Sequence, residues 1–359
     1  MTDTRTRQIH VEDLRDMARG AAVLGTGGGG DPFVGRLLAE AAIRKHGPVD
    51  LVDPLELDDD AVVIPTAYMG SPSVMLEKMP SGQEVISALR ALEDLIGRKA
   101  THTISIEAGG INSMIPFSAA AELGLPLVDA DGMGRAFPEL QMLLPTLAGI
   151  SATPMALGDE RGNSVVMRTI ANRWAERFAR SVTVDMGCSA AVTLYVLSGR
   201  EVKDHMVHGT MTLCQRIGVA IREATQQHRD PVQAAADTMG GRKLFQGKVI
   251  DIERGTKAGF NRGHAVLDGL AADLGAKFEL SFQNEHLVAS RDGVVQASVP
   301  DLICVLDTDS GEPVTAETMR YGLRVSVIAA PCDARWRTPE GLALVGPAYF
   351  GYEHEYVPV

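Results

Sequence analysis

Four consecutive glycines, Gly27, Gly28, Gly29 and Gly30, constrain the fold of this 359-residue chain more than any other feature. Glycine enters left-handed backbone regions without steric penalty and exposes bare N–H groups. The next residues, Asp31 and Pro32, are a favourable N-cap and first-turn residue, and they predict a helix over 33–44. Amides at a helix start beside a glycine turn favour a site for an anion or a polar ligand. A tight helix–helix turn without a ligand is the alternative.

The glycine run does not match a nucleotide-binding fingerprint. A Rossmann loop follows a strand directly, whereas residues 11–23 before the glycines predict a helix. A Walker loop needs a Gly-Lys-Ser/Thr sequence, and this chain has Asp31 where a phosphate would need a cation. We therefore expect no nucleotide cofactor.

Composition restricts the classes of partner. The net charge of −12 argues against nucleic acid and anionic membranes, so a small-molecule substrate is expected. Residues 1–14 lack the apolar stretch of a signal peptide, and no run of 18 apolar residues predicts a membrane helix. The four cysteines are scattered without a C-x-x-C motif, which predicts reduced thiols and a cytoplasmic location. We also expect a homo-oligomer.

The order of apolar runs predicts an α/β protein with a boundary near residue 170. Residues 1–169 are expected to form a mostly parallel sheet with flanking helices, and residues 170–359 a β-rich α+β domain. The strands predicted in the first part are 49–52, 62–65, 103–106 and 125–128, with an antiparallel pair at 151–156 and 164–168, and its helices are 83–95, 116–123 and 138–143. The second part is expected to have helices at 170–179 and 210–224 and strands at 192–197, 248–252, 277–282, 294–298, 302–306 and 323–328.

Acidic residues follow several of the predicted strands. Glu107 begins a glycine-containing turn that ends at Asn112, and Asp129 and Asp131 share a loop with Arg135. Ligands of open α/β sheets bind at the carboxyl ends of the strands, so we expect these side chains to meet there. Clustered carboxylates suit acid–base catalysis or a divalent cation. Alternatively, Asp129 and Asp131 cap the next helix and Arg135 pairs with one of them.

Two further groups are candidates for the site. His205 and His208, together with Cys188, could complete a shell for zinc, although local hydrogen bonding of the histidines and burial of the cysteine are the simpler interpretations. Asn284 and Glu285 place an amide and an acid at a strand end that could face a cleft between the two parts of the chain, or could simply form a turn.

Several segments together resemble the S-methyl thiohydantoin desulfurase family, which is associated with hydantoinase/oxoprolinase systems. The resemblance spans nearly the whole chain and implies an N-terminal α/β domain, a C-terminal domain, and hydrolysis of a thiohydantoin or S-methyl thiohydantoin to a hydantoin with release of sulfide or methanethiol. The segments are Gly25-Thr-Gly-Gly-Gly-Gly-Asp31-Pro32, Glu107-Ala-Gly-Gly-Ile-Asn112, Asp129-Ala-Asp-Gly-Met-Gly-Arg-Ala-Phe-Pro-Glu139, Gly247-Lys-Val, Asn284-Glu285, Pro300-Asp-Leu-Ile and Gly346-Pro-Ala-Tyr-Phe-Gly351.

Our hypothesis from the sequence is a hydrolase of a cyclic amide or thioamide. Asp129 or Asp131 would act as base or metal ligand with Glu107 assisting, and the glycine amides with Arg135 would hold a ring oxygen or a substrate carboxylate. Two alternatives come from other classes: a non-catalytic subunit of a hydantoinase/oxoprolinase-type assembly, and a small-ligand sensor.

Overall fold

The computed structural model describes residues 6–70, 74, 80–257 and 260–359. The strands are β1 (Thr6–Ile9), β2 (Val49–Val52), β3 (Val62–Gly70), β4 (His102–Ile104), β5 (Leu127–Val128), β6 (Ala130–Asp131), β7 (Met155–Gly158), β8 (Ser164–Met167), β9 (Ser189–Thr193), β10 (Leu197–Ser198), β11 (Val207–His208), β12 (Arg242–Lys257), β13 (Phe260–Gly269), β14 (Lys277–Gln283), β15 (Glu285–Arg291), β16 (Val294–Ser298), β17 (Leu302–Asp307) and β18 (Arg324–Ala330). The α-helices are α1 (Leu14–Leu24), α2 (Pro32–His46), α3 (Gln83–Ile96), α4 (Ile115–Leu123), α5 (Leu144–Leu147), α6 (Asn172–Asp185), α7 (Gly199–His205), α8 (Thr210–Gln226), α9 (Pro231–Thr238) and α10 (Pro339–Val345).

The first sheet has the strand order β1-β2-β5-β4-β3-β9-β7-β8, with β10 also paired to β3. Its centre, β2-β5-β4-β3, is parallel, and antiparallel strands extend it on both sides. The central strand β3 is buried over nearly its whole length and is mostly apolar, as expected where helices cover both faces of a sheet. The second sheet, β16-β15-β14-β13-β12-β18-β17, is antiparallel throughout. The predicted α/β class with a β-rich second part is therefore confirmed.

Glycines also join the two parts of the chain. Helices α1 and α8 cross so closely that a Cβ on Gly20 would lie 1.8 Å from the Cys214 carbonyl oxygen. A Cβ on Gly218 would lie 1.9 Å from the carbonyl oxygen of Asp16, so each helix needs a glycine at this crossing. Strand β9, which follows residue 170, lies in the first sheet beside β3. The predicted boundary near residue 170 therefore falls within the chain segment that builds the first sheet, and it stays a prediction.

Some predicted elements differ from those observed. Residues 138–143 form turns instead of a helix, because the Leu140 amide donates to the Glu176 carboxylate (2.9 Å) and not to a helical carbonyl. A short helix, α5, begins only at Leu144. Strands β13 and β15 were not predicted. Among the described residues, no helix has both the length and the apolar character needed to cross a bilayer.

Candidate active site

A cleft opens at the carboxyl ends of the parallel strands β3 and β4, where α/β sheets usually bind ligands. It encloses about 710 Å³, its open mouth included. Its wall combines segments from both parts of the chain: Gly29, Gly30, 67–70, Ile106, Glu107, Ile111, Asn112, Met133, 137–140, Arg180, Asn284 and Glu285. The site therefore needs the first sheet and the start of β15 together.

The glycine loop forms one wall, and the contacts show why side chains are excluded. A Cβ on Gly28 would lie 2.1 Å from Oε1 of Glu285, and one on Gly27 would lie 2.4 Å from the His286 ring. Gly29 packs against the backbone of Gly109, 2.6 Å from where its own Cβ would stand. Gly27, Gly29 and Gly30 also have φ values between 72° and 93°, which favour glycine.

The amides of this loop are not equivalent. The Gly28 N–H donates to Gly25, and the Gly27 carbonyl accepts from Ala316, so the first half of the loop is held by the protein itself. Gly29 and Gly30 line the cleft, and their N–H groups form no hydrogen bond with another described residue. Asp31 caps α2 by accepting from the Phe33 N–H (2.8 Å), as predicted. The cleft wall therefore includes two glycines with amides available to bind an oxygen atom, just before the start of α2.

Glu107 is a buried acid in the cleft that is hydrogen-bonded to the Asn112 side chain and to the Phe137 backbone. Its Oε1 accepts from the Asn112 side-chain amide at 2.8 Å, and Asn112 is fixed by the Tyr68 N–H (2.8 Å) and carbonyl (3.1 Å). Burial raises the pKa of Glu107 to about 7; the hydrogen bond from Asn112 lowers it, and the charge of Asp131 raises it. A carboxyl group with such a pKa can accept a proton from water near neutral pH.

Glu285 is a second buried acid on the same cleft. It is 2% exposed, and its Oε2 has no hydrogen-bond partner among the described residues. Burial raises the pKa of Glu285 well above its usual range, and the charge of Glu107 raises it further, while the Arg135 guanidinium acts in the opposite direction. Burial therefore favours the protonated form of Glu285, and a protonated carboxyl group can donate its proton.

Asn284 positions Glu285 through a strained turn. Its φ is 58°, a left-handed conformation that asparagine tolerates better than most residues. Its Oδ1 accepts from the Asn261 N–H (2.9 Å), and its own N–H donates to the Asn261 carbonyl (2.7 Å). This clamp to β13 fixes the direction in which Glu285 leaves the turn.

Arg135 is not among the cleft-lining residues. It is fully buried and donates to the carbonyls of Ala136, Pro300, Asp301 and His286 and to the Thr26 hydroxyl, over 2.7 to 3.4 Å. These acceptors come from three distant segments, so Arg135 joins the glycine loop to the second sheet. With its hydrogen bonds directed into the protein, it acts as a structural clamp. Its substrate-binding role stays a prediction.

Asp129 and Asp131 also lie outside the cleft wall. Asp129 accepts from the N–H (3.0 Å) and the hydroxyl of Thr212, and so binds the first turn of α8. Asp131 is fully buried and accepts from the Met133 N–H, the Gly134 N–H and the Thr210 hydroxyl. Burial raises the pKa of Asp131 to about 6 in spite of these bonds. Both carboxylates therefore hold nearby backbone N–H and threonine hydroxyl groups in place. Asp131 affects the site through its negative charge, which raises the pKa of Glu107.

Cys188, His205 and His208 do not meet in a metal site. Among the described residues, no group of three or more His, Cys, Asp and Glu side chains is arranged to hold a metal ion. Cys188 sits in the turn between α6 and β9, with a φ of 66°. His208 pairs with Ala130 in a short ladder, and its ring lies 3.4 Å from the Val202 carbonyl oxygen. A zinc shell of these three residues is not supported.

The structure adds residues that the sequence analysis did not assign to the site. Arg180 of α6 and Glu139 line the cleft; Arg180 is paired with Glu176 (2.5 Å), and Glu139 accepts from the Tyr349 hydroxyl (2.7 Å). Glu317 lies beyond the glycine loop, and burial raises its pKa to about 7. Its Oε1 has no hydrogen-bond partner among the described residues. No local sequence motif marks Arg180 or Glu317, so only the tertiary fold shows that these residues lie near the site.

Comparisons with known proteins give two family matches. Residues 12–169 match the model described as S-Me-THD-like, N-terminal domain, and residues 170–359 match S-Me-THD-like, C-terminal domain. The fold is similar to a crystal structure of a protein from Chromobacterium violaceum, with a TM-score of 0.82 and 25% identity over 98% of this chain and 100% of that one. No curated protein matches.

Proposed function

Because the chain belongs to the S-methyl thiohydantoin desulfurase-like family, whose name indicates a thiohydantoin-related function, we propose that it hydrolyses a thiohydantoin or S-methyl thiohydantoin ring to a hydantoin. In this proposal Glu107 is the general base and Glu285 the general acid. The observation that carries it is that two buried carboxyl groups line one cleft, with the pKa of Glu107 raised to about 7 and the pKa of Glu285 raised well above its usual range.

The proposed cycle on an S-methyl ring returns both acids to their starting states. Glu107 takes a proton from water as the water oxygen attacks the ring carbon bearing sulfur, and Glu285 gives its proton to the adjacent ring nitrogen. The carbon–sulfur bond then breaks, and Glu107 returns its proton to the departing methanethiolate. Glu285 recovers a proton from the new hydroxyl group as the carbonyl forms. On a thione, Glu285 gives its proton to the thione sulfur as water adds to the carbon. Glu107 then protonates the departing hydrosulfide to hydrogen sulfide, and Glu285 recovers its proton from the new hydroxyl group.

The amides of Gly29 and Gly30 supply the remaining chemistry of the proposal. They belong to residues that line the cleft, and they have no hydrogen-bond partner among the described residues. N–H groups of this kind stabilise negative charge that develops on a substrate oxygen or sulfur. Asn112 holds Glu107 in place through its own two contacts with Tyr68. We assign the base to Glu107 instead of Asp129 or Asp131, because hydrogen bonds turn those two carboxylates toward the backbone.

The test is release of thiol or sulfide from S-methyl thiohydantoin and thiohydantoin by the purified protein. We expect Glu107→Gln and Glu285→Gln each to lower kcat by about 100-fold or more. Glu139→Gln is the matched control, because Glu139 also lines the cleft but is bonded to Tyr349. Wild-type kcat in Glu107→Gln would remove that residue from the mechanism. Ring binding and thermal stabilisation without any turnover would instead favour the sensor or the non-catalytic subunit.

A further inference from the structure

The part of the cleft wall formed by residues 132–140 has no regular secondary structure. Residues 133 and 137–140 line the cleft, yet none of them belongs to a helix or a strand. A wall without the hydrogen bonds of a helix or sheet depends on side chains from elsewhere for its shape. We call residues 132–140 the wall loop.

Trp336 holds the wall loop at two points. Its indole Nε1–H donates to the Met133 carbonyl at 2.8 Å, and its ring packs edge-on against Phe137 with 5.3 Å between the ring centroids. Trp336 is completely buried, so water does not compete for either contact. Met133 lies 203 residues before Trp336 in the chain. The second part of the chain therefore shapes this wall of the cleft.

Phe137 connects this contact to the proposed base. Burial raises the pKa of Glu107, and the Phe137 backbone N–H, which donates to the Glu107 carboxylate, limits that rise. The Arg135 guanidinium lies 4.7 Å from the centre of the Phe137 ring, and Trp336 contacts the same ring edge-on. Two buried side chains thus fix the ring of the residue whose amide meets Glu107.

We propose that Trp336 is a positioning residue for the reaction, because it holds the wall loop where the Phe137 N–H reaches Glu107. This inference rests on the proposed role of Glu107 as the general base. A base must be deprotonated to act, so the acid limb of the pH–kcat profile reports the pKa of Glu107. Losing one backbone N–H donor raises the pKa of a carboxylate by about one unit. Replacing Trp336 is therefore expected to move the acid limb to higher pH.

Three charged groups also act on Glu107. They are Asp131 on β6, Arg135 in the wall loop and Glu285 on β15. Arg135 has its own hydrogen bonds to the carbonyls of residues 300 and 301, which hold it independently of Trp336. Replacing the uncharged Trp336 removes none of these charges, so a shift of the acid limb reports a displaced N–H donor.

The test compares the pH–kcat profiles of Trp336 variants in the thiol-release assay. Trp336→Leu removes both contacts, and we expect its acid limb to move to higher pH by about one unit. Trp336→Phe keeps an aromatic ring beside Phe137 and loses only the N–H donor, so its acid limb is expected to stay at the wild-type position. Trp174→Leu is the matched control, because Trp174 is exposed and is not among the residues that line the cleft.

A purely structural role of Trp336 predicts a different result. A destabilised protein loses kcat by the same factor at every pH, so an acid limb of Trp336→Leu that stays at the wild-type position overturns the proposal. An equal shift in Trp336→Phe shows that the contact with Phe137 is not the cause, and it also overturns the proposal. If Trp336→Leu does not fold, Phe137→Leu carries the test, since it removes the ring that Trp336 contacts. Its acid limb is expected to move in the same direction, and an unchanged limb overturns the proposal.

A measurement without turnover separates this inference from the proposed function. Carbon NMR titration of the glutamate carboxyl groups, with Glu107→Gln to identify the signal, gives the pKa of Glu107 directly. We expect that pKa to be about one unit higher in Trp336→Leu than in the wild type. A shifted signal in a protein that turns over neither ring refutes the proposed function and supports the effect of Trp336 on Glu107. Turnover with an unshifted signal refutes this inference alone.

Discussion

Replacing Gly28 with alanine tests whether the glycine run exists to accommodate Glu285. Gly28 does not have a positive φ, so alanine is allowed by the backbone, and the only obstacle is the neighbouring carboxyl group. The added Cβ would stand 2.1 Å from Oε1, 2.6 Å from Cδ and 2.8 Å from Cγ of Glu285, whereas ordinary contact begins at 3.4 Å. The carboxyl group must therefore move by about 1 Å. Its surroundings resist this movement, because the group is fully buried and protein interiors are closely packed.

We expect this displacement to affect both stability and catalysis. Overpacking of a buried site costs about 1–3 kcal/mol of unfolding free energy, and a 1 Å displacement of a catalytic group costs about 100-fold in kcat. Urea denaturation and the thiol-release assay measure the two effects. Gly255→Ala is the control, because a Cβ at that position meets nothing within 4 Å.

A double-mutant cycle with Glu285→Asp identifies the cause. Aspartate is one methylene shorter, so its carboxyl group lies further from the alanine, and the two substitutions together are expected to cost less stability than their sum. Additive free energies would mean that the two residues do not conflict. Wild-type stability and kcat in Gly28→Ala would refute the steric explanation of the glycine run altogether.

Three further predictions concern charges around the cleft. The pKa of Glu107 is raised from 4.5 to about 7, so the folded protein binds a proton more tightly than the unfolded chain, and the unfolding free energy falls as pH rises from 4.5 through 7. Glu107→Gln is expected to lose this pH dependence and to have an unfolding free energy about 3 kcal/mol higher than the wild type at pH 8, measured by urea denaturation. An unchanged pH dependence contradicts this prediction. Arg135→Met leaves several buried carbonyls unsatisfied and is expected to lower the unfolding free energy by more than about 4 kcal/mol, which a melt within a few degrees of wild type would disprove. The charge of Glu317 raises the pKa of Glu285, so Glu317→Gln is expected to move the alkaline limb of the pH–kcat profile to lower pH and to leave the plateau unchanged. An alkaline limb that stays in place excludes this electrostatic effect of Glu317 on Glu285.

Local sequence patterns predicted the helices and strands whose own residues indicate their structure. Strands β2 and β16 have the predicted bounds, and Asp31 caps α2 as its position before Pro32 indicates. Strand β13 was missed because its sequence includes two glycines, an asparagine and an aspartate, which are unfavourable in strands, and its neighbours β12 and β14 supply the pairing that holds it.

The candidate site shows the same limit for single residues. Glu107 follows its strand and faces the cleft, as expected from the strand-end rule. The same rule placed Asp129 in the site, yet its carboxylate binds Thr212, which is 83 residues away along the chain. No pattern near Asp129 reveals this partner. The difference between the two acids is decided by tertiary contacts with α8, which the sequence alone does not disclose.

The contacts of Arg135 also have a consequence for biosynthesis. Its carbonyl acceptors at Pro300 and Asp301 lie 165 and 166 residues downstream. While a ribosome is still making the second half, the first half contains the Arg135 guanidinium without its final carbonyl acceptors. A charge without such partners cannot remain in a dry interior. The nascent first half must keep that region hydrated until translation has passed residue 301, so native packing around the glycine loop is completed late in synthesis.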